Sequence, residues 1–331
     1  MNAPGTVPSR RIVVVGEALV DLVAGADRRI HVAHPGGSPL NVAYGLARLG
    51  RPTSLLTRIG DDTFGALVRD HLHRAGVDLL APPEPGLATS LATVTIDAEG
   101  AARYDFRIDW DLPAHGPLPR DTAAVHTGSI AAALEPGASE VRALLVTERD
   151  RGRATISFDP NCRPALMGDP RTARARTEQL VALSDVVKAS DEDLRALYGE
   201  RPVEDVAAAW LDLGASLVVV TRGAHGSYAA GRAATVTRPA APADVVDTVG
   251  AGDSFMSALL DSLAREQCLG GDRRPALAAL SADALTRIVD RAARAAAVTV
   301  GRTGAMPPDL AELDATAPAG QGTQPDPLPA R

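Results

Sequence analysis

The feature that most constrains the fold of this chain is a regular alternation of apolar, β-branched runs with amphipathic stretches. The spacing predicts strands at Arg11–Gly16, Ser54–Gly60, Ala124–Ile130, Ala154–Asp159, Asp185–Ala189 and Leu217–Thr221, with helices between most of them. Such alternation favours a parallel sheet with right-handed crossovers. Nearly continuous apolar runs fit strands that helices cover on both faces. The predicted fold class is therefore α/β, a three-layer sandwich with a mainly parallel central sheet.

Two segments and the two ends depart from this rhythm. Residues 18–33 and 91–108 show strand patterns without a crossover helix between successive pieces, and we expect them to form a small antiparallel β lid. Residues 1–10 and 311–331 are rich in Pro, Ala and Gly and lack periodicity, which predicts disordered tails. The remaining residues, 11–310, are expected to form one domain.

Charge and cysteine content exclude several classes of function. The formal net charge of −7 argues against nucleic-acid and membrane-surface partners, which generally require a concentrated basic face. No apolar run approaches the ~20 residues that span a bilayer, and the first residues lack a signal-peptide pattern, so the expected location is cytoplasmic. Cys162 and Cys268 are too few and too far apart to predict a disulfide framework or a zinc site.

The most informative stretch is Gly250-Ala251-Gly252-Asp253, which is followed by apolar residues at helical spacing. Small residues at a helix start let backbone N–H groups approach a phosphate, and the positive end of the helix stabilises its charge. Asp253 lies inside that positive end, where it could accept a proton from an attacking alcohol. It would suit a simple helix cap equally well. On these residues alone, both interpretations stay open.

Two other phosphate-binding designs are missing. The chain contains no Gly-x-x-x-x-Gly-Lys-Ser/Thr, so it is not a P-loop kinase. The first strand is followed by Gly16-Glu17-Ala18-Leu19 instead of the Gly-x-Gly-x-x-Gly turn of a dinucleotide enzyme. An oxidoreductase is therefore disfavoured.

Two long motifs, in the right order, resemble the signatures of the PfkB (ribokinase-like) family of carbohydrate kinases. Asp247–Ala258 resembles the C-terminal signature and Gly36–Ala43 the N-terminal one, and the similarity extends over about residues 10–308. The resemblance implies a ribokinase-like fold and transfer of the γ-phosphoryl group of ATP to a sugar hydroxyl. In that reaction Asp253 is the base, and Gly250, Ala251 and Gly252 form the anion hole.

The resemblance also implies a sugar pocket. Asp21 matches the carboxylate that binds sugar hydroxyls, while Gly36, Gly37 and Asn41 match positions that line the pocket. Arg163, in Asp159-Pro160-Asn161-Cys162-Arg163, resembles an element of the fructokinase and ketodeoxygluconate kinase branches, although a structural ion pair with Asp159 is the alternative. Further expected substrate contacts are Arg107, on a lid strand, and Glu135.

On the nucleotide side, the resemblance implies a turn formed by Thr221, Gly223 and Gly226. Residues 188–193 align with the family's Asn-x-x-Glu, which orders Mg²⁺ and phosphate. Here Lys188 and Ser190 are expected cofactor contacts, and Asp193 is an expected metal ligand. Because Asp193 is one methylene shorter than glutamate, the metal site could shift or recruit Glu192, and a simple Ser190 N-cap with acidic residues in the first turn is the alternative. Backbone oxygens of Asp247 and Val249 match a K⁺-binding loop of some members. The implied cofactors are ATP and Mg²⁺, with K⁺ as an activator in some members.

Fructose is the acceptor that these motifs favour. 2-keto-3-deoxygluconate, ribose or a nucleoside would leave the catalytic centre unchanged, and Arg107 with Arg163 could grip the carboxylate of an acid sugar. A sugar-binding regulatory protein without turnover is the alternative from another class, against which the intact Asp253 argues. Because the exposed edge strands of the lid could be covered by a second subunit, we expect a homodimer.

Overall fold

The computed structural model describes residues 10–24, 29–96 and 102–317. Its strands are, in chain order, β1 (Arg11–Val15), β2 (Leu19–Ala24), β3 (His31–Gly36), β4 (Thr53–Leu56), β5 (Val77–Leu79), β6 (Leu91–Ile96), β7 (Ala102–Arg107), β8 (Thr122–Gly128), β9 (Thr155–Asp159), β10 (Val186–Ser190), β11 (Leu217–Thr221), β12 (Ser227–Gly231) and β13 (Thr235–Arg238).

The helices lie between these strands and after the last of them. They are α1 (Ser38–Arg48), α2 (Thr63–Ala75), α3 (Gly137–Arg151), α4 (Pro164–Met167), α5 (Pro170–Leu183), α6 (Asp191–Tyr198), α7 (Val203–Leu213), α8 (Ala251–Arg265), α9 (Arg274–Ala278), α10 (Ala282–Val300) and α11 (Leu310–Ala315).

The central layer is a large sheet with the order β13-β12-β11-β10-β9-β8-β1-β4-β5 in the described part of the chain. From β11 to β5 all neighbouring strands pair in parallel, whereas β12 and β13 add an antiparallel edge. The predicted α/β class with a mainly parallel sheet is confirmed. The carboxyl ends of parallel strands meet at one edge, and loops that follow β9, β10 and β11 therefore lie side by side.

Helices cover the sheet on both faces, and the apolar side chains of the strands explain this arrangement. Ile12 and Val14 of β1 pack into one core with residues of α1, α8 and α10, while Val13 and Val15 pack into a second core with α3, α5 and α7. All four side chains are fully buried. Successive side chains of a strand point to opposite faces, so a strand covered on both sides must be apolar throughout.

The predicted lid is present as a separate sheet with the order β3-β2-β6-β7. It is not wholly antiparallel as predicted, because β2 and β6 pair in parallel. Between them the chain passes through α1, β4, α2 and β5 of the main body, so it can return to the lid in the same direction. β3 runs to Gly36, beyond the predicted boundary at residue 33, and delivers the chain directly to the start of α1.

The C-terminal boundary of the domain was also placed too early. Leu310–Ala315, most of which was assigned to a disordered tail, forms α11, and its Glu312 pairs with Arg302 (2.7 Å) and Arg48 (3.1 Å). These ion pairs bind α11 to α1 and to the end of α10. Residues 1–9 and 318–331 of the predicted tails lie outside the described residues.

No helix in the described ranges combines the length and the apolar character that a membrane span requires.

Candidate active site

The start of α8 has the geometry that an anion hole requires. Gly250 is the N-cap residue in the left-handed conformation (φ 76°), and a Cβ there would lie 2.5 Å from Cβ of Ala305. Ala251, Gly252 and Asp253 form the first turn of the helix, where backbone N–H groups have no partner within the helix itself. The positive end of α8 and these small residues together form a surface that suits a phosphate group.

The carboxylate of Asp253 is 7% exposed and receives hydrogen bonds from the N-terminal motif. The hydroxyl of Ser38 donates to Oδ1 (2.6 Å), and the Asn41 amide Nδ2 donates to Oδ2 (2.8 Å). Both donors lie in the first turn of α1, and α1 packs against α8. The two sequence motifs, more than 200 residues apart, therefore meet at a single carboxylate.

A buried lysine lies beneath this helix start. Lys188 of β10 donates to Oδ2 of Asp159 at the end of β9 (2.9 Å), and its Nζ lies 3.0 Å from the position that a Cβ of Gly252 would take. Burial raises the pKa of Asp159 to about 6, although Lys188 opposes the rise. Burial also works to lower the pKa of Lys188, but the neighbouring carboxylates, Asp159 first, outweigh it, and the pKa is raised. At neutral pH the pair is charged.

Asp21 and Gly36 contact each other on adjacent strands of the lid. A Cβ on Gly36 would overlap Oδ2 of Asp21, so the carboxylate can approach only because residue 36 is glycine. Burial raises the pKa of Asp21 to about 6, and the positive charge of Arg163 works against it. Gly37, with φ 102°, joins β3 to α1, and a Cβ there would lie 2.7 Å from the backbone oxygen of Glu17. The structure thus brings Asp21, Gly36 and Gly37 together beside Asn41.

The Arg163 guanidinium is held by its own loop. Nη1 donates to the side chain of Asn161 (2.6 Å) and to the backbone oxygens of Asn161 and Cys162 (3.1 Å each). The alternative ion pair with Asp159 is not formed, because Asp159 is engaged by Lys188. The charge of Arg163 acts instead on Asp21 and Glu17.

Sequence reasoning noted Glu17 as a landmark but gave it no role. Its side chain is 2% exposed, and Oε2 accepts a hydrogen bond from the backbone N–H of Ala131 (2.9 Å), which joins the end of β1 to the turn after β8. Burial raises the pKa of Glu17 to about 7. The sequence signal that could have identified Glu17 is its place directly after a buried strand.

Two expected substrate contacts lie apart from this cluster. Glu135 accepts from the backbone N–H of Ser139 (3.1 Å) and pairs with Arg176 (3.3 Å), so its carboxylate is engaged at the start of α3. Arg107 is the last residue of β7, opposite Leu91, and its side chain is exposed. Neither residue contacts Asp253 or Asn41 in the described contacts.

The expected metal role of Asp193 is not supported by its contacts. Oδ1 accepts from the backbone N–H of Cys162 (2.6 Å), while Oδ2 accepts from the backbone N–H and the hydroxyl of Ser190 (2.7 Å each). Ser190 and Asp193 form a capping box at the start of α6. The carboxylate of Asp193 is therefore engaged by the helix cap and by the loop of Cys162. Among the described residues, no three acidic, histidine or cysteine side chains cluster in a way that could hold a metal ion.

The expected nucleotide turn follows β11. Gly223 (φ 50°) and Gly226 (φ 83°) both take left-handed conformations, and the backbone N–H of Arg222 closes the turn on the oxygen of Gly226 (2.7 Å). The hydroxyl of Thr221 donates to the backbone oxygen of Ala189 in the neighbouring strand (3.3 Å). The turn therefore lies at the same edge of the sheet as Ser190.

The loop before α8 is anchored through Asp247. Its carboxylate accepts from the backbone N–H of Val249 (3.0 Å) and of Gly304 (2.8 Å), which links the loop to the segment after α10. The Val249 side chain is 42% exposed. The side chain of Asp247 thus shapes the loop whose backbone oxygens are the expected K⁺ ligands.

Known proteins share this architecture and sequence. A family model described as pfkB family carbohydrate kinase matches residues 9–312. A fructokinase of Rhizobium leguminosarum bv. trifolii is 36% identical over 270 residues, which cover 78% of this chain and 81% of that protein. The crystal structure of a fructokinase with bound ATP from Xylella fastidiosa has a TM-score of 0.81 at 27% identity and covers 93% of this chain and 98% of its own.

A second solved structure adds a sugar. The fructokinase double mutant of Vibrio cholerae O395, in a form with fructose, ADP and potassium ion bound, has a TM-score of 0.78 at 29% identity. It covers 93% of this chain and 98% of its own.

Proposed function

The chain belongs to the pfkB family of carbohydrate kinases, and we propose that it transfers the γ-phosphoryl group of ATP to a hydroxyl of fructose, with Asp253 as the base. The observation that carries this proposal is the meeting of Asn41 and Ser38 with the Asp253 carboxylate at the start of α8. A sugar held by the N-terminal motif would then lie between the base and the phosphate surface. The fructokinase relatives support fructose as the acceptor.

In the proposed reaction, Asp253 accepts the proton as the O–H bond of the sugar breaks and the new O–P bond forms. The bond from the γ-phosphorus to its bridging oxygen breaks, and ADP leaves with the electron pair. The backbone N–H groups of Gly250, Ala251 and Gly252 stabilise the charge on the transferring group. Lys188, whose Nζ lies beneath Gly252, is paired with Asp159, which offsets its positive charge on that side.

ATP is proposed to lie between α8 and the turn of Thr221, Gly223 and Gly226. Mg²⁺ would enter bound to the phosphates of ATP, as it commonly does in kinase sites. Both oxygens of Asp193 already accept hydrogen bonds, so the chain offers no direct carboxylate ligand there.

Asp21, Gly36, Gly37 and Asn41 are proposed to bind the sugar hydroxyls. A specific observation favours a neutral sugar over an acid one: Arg163, the cation beside this pocket, already faces the carboxyl groups of Asp21 and Glu17. Asp21, with a pKa of about 6, is charged at neutral pH and offsets the charge of Arg163 before substrate arrives, and a substrate carboxylate would bring a further negative group. The exposed Arg107 at the lid end remains available for an acid sugar.

A sugar panel tests this proposal. ADP formation with fructose, 2-keto-3-deoxygluconate, ribose and a nucleoside should give the largest kcat/KM for fructose. A larger kcat/KM for 2-keto-3-deoxygluconate would replace the acceptor and leave the kinase chemistry in place. ATP-dependent turnover of none of them would favour the regulatory protein that binds sugar without catalysis.

We also propose that the lid forms a homodimer interface. β3 and β7 are the edge strands of the lid sheet, and Val32 on β3 is 53% exposed. An apolar side chain on a strand edge favours cover by another molecule. Light scattering should report a dimer at micromolar concentration, and a monomer throughout that range would contradict this assignment.

Activation by K⁺ is the last part of the proposal. The relative from Vibrio cholerae was solved with potassium ion bound, and the loop of Asp247 and Val249 is held in place by Gly304. Replacing K⁺ by a large organic cation should lower kcat, and restoring K⁺ should recover it. Equal kcat in both salts would remove K⁺ from the cofactors.

A further inference from the structure

The hydroxyl of Ser38 contacts the proposed base, but it takes no part in binding the sugar or ATP as proposed. Ser38 is the first residue of α1, it is 8% exposed, and its Oγ lies 2.6 Å from Oδ1 of Asp253. This distance belongs to the short, strong end of hydrogen bonds to a carboxylate. A buried hydroxyl in this position can fix the orientation of the carboxylate.

The two oxygens of Asp253 have different surroundings. Oδ2 accepts from Asn41, which is half-buried and lies in the proposed sugar pocket, whereas Oδ1 accepts from Ser38 between α1 and α8. When a sugar binds Asn41, Oδ2 is the oxygen that its hydroxyl can reach. Oδ1 keeps its contact with Ser38 throughout.

Nothing within the helix fixes the rotation of an aspartate carboxylate, because its terminal torsion is broad. A base is efficient only when its oxygen lies within hydrogen-bond distance of the proton that it removes. We infer that Ser38 is a positioning residue that holds Asp253 with Oδ2 towards the sugar hydroxyl. This inference rests on the proposed function, since it presupposes that Asp253 is the base.

Other charged groups around Asp253 would stay in place when Ser38 is changed. Lys188 of β10 and Asp159 of β9 face the carboxylate from the sheet, and the α1 contacts are the uncharged Ser38 and Asn41. Removal of the Ser38 hydroxyl therefore changes one hydrogen bond and no charge. An effect on the pH profile would then report that bond.

The test compares Ser38→Ala and Ser38→Cys with Ser257→Ala. The cysteine variant keeps nearly the same size but is a weak donor, and it serves if the alanine variant does not fold. Ser257 is also buried, on α8 (1% exposed), but its hydroxyl donates to the backbone oxygen of Ser254 and not to the base. Purified full-length variants are assayed with ATP and fructose from pH 5 to 9.

We expect kcat to fall about 10-fold in both Ser38 variants, the rate equivalent of a weak charge-assisted hydrogen bond. KM for fructose and for ATP should stay within about 2-fold, because Ser38 would act on the base and not on binding. Ser257→Ala should match the parent chain.

Unchanged kcat in both Ser38 variants, or a loss confined to KM, would overturn the positioning role. An equal loss in Ser257→Ala would overturn it too, since the cause would then be packing between α1 and α8. The failure of the proposed function gives a different result: Asp253→Asn would then keep its kcat, whatever Ser38 does.

Discussion

The replacement Asp253→Asn separates a base from a helix cap. Asparagine has the size of aspartate and its carbonyl oxygen can still accept from Ser38, so the first turn of α8 should keep its shape. It cannot accept a proton at neutral pH. Its amide nitrogen would face the amide nitrogen of Asn41, which replaces one hydrogen bond by a pair of donors.

We expect kcat to fall by at least ~10²-fold, the low end for loss of a positioned general base, which corresponds to about 2.7 kcal/mol of transition-state free energy. If Asp253 were only a helix cap, the expected loss of kcat would be much smaller. An acid in the first turn of a helix stabilises it by about 0.3–1 kcal/mol, and that free energy belongs to folding and not to catalysis.

The assay measures ADP release at saturating ATP and fructose, and calorimetry measures ATP affinity, which should be largely preserved. Asp283→Asn is the matched control, because Asp283 is an exposed acid in the first turn of α10, away from the candidate site. It should cost a similar amount of stability and leave kcat unchanged. A near-normal kcat in Asp253→Asn would refute the assignment of the base and leave only the cap.

Three further predictions concern buried charges and the lid. Lys188→Met should lower kcat and, because it leaves the buried Asp159 unpaired, lower the free energy of unfolding by about 3 kcal/mol at pH 8. The loss should be smaller at pH 5, because Lys188 holds the pKa of Asp159 down to about 6 and its removal raises that pKa further, so that the acid is neutral; equal losses at both pH values in urea unfolding would contradict this. Gly36→Ala should raise KM for fructose by about 10-fold or more with little change in KM for ATP, since a methyl group would displace Asp21, and an unchanged fructose KM would refute that reason. The charged form of Glu17 destabilises the fold, because its pKa is about 7 in the folded chain against 4.5 as the reference. The free energy of unfolding is therefore highest below pH 4.5 and declines by up to about 3 kcal/mol as the pH rises through 7. Glu17→Gln should therefore lose less stability than the parent between pH 5 and pH 8 in denaturant titrations, and a parallel decline would show that Glu17 does not titrate there.

The sequence predicted those parts of the fold that periodicity determines. The buried runs of β1 and β11 must be apolar on both faces, so the central sheet and its covering helices could be inferred. Boundaries were less certain. The run Ala124–Ile130 continues past the end of β8 at Gly128, because Ser129 takes a left-handed conformation (φ 57°) that no residue pattern announced. The antiparallel edge of β12 and β13 was also missed, since strands of five and four residues that contain Ser, Ala, Gly and Thr show little apolar periodicity.

The site divides in the same way. The motifs around Asn41 and Asp253 are long and specific, and the structure brings them into contact, while their roles in one site stay a prediction. The Asp193 interpretation depended on a single position within a weaker match. An acidic residue at the third position of a helix can face a metal or its own helix cap, and the hydrogen bonds to Cys162 and Ser190 distinguish the two.

The Lys188–Asp159 pair shows why charge at the site could not be read from the sequence. The lysine was expected as a nucleotide contact, and Asp159 was considered as a partner for Arg163. The structure instead pairs Lys188 with Asp159 beneath Gly252 and leaves Arg163 facing Asp21 and Glu17. This pairing matters for function, because it separates the two cations. Lys188 lies under the phosphate surface, and Arg163 balances carboxylates beside the sugar pocket. Since both cations already have acidic partners, the charge of a phosphate donor is left to the backbone N–H groups at the start of α8, and the sugar pocket favours a neutral acceptor.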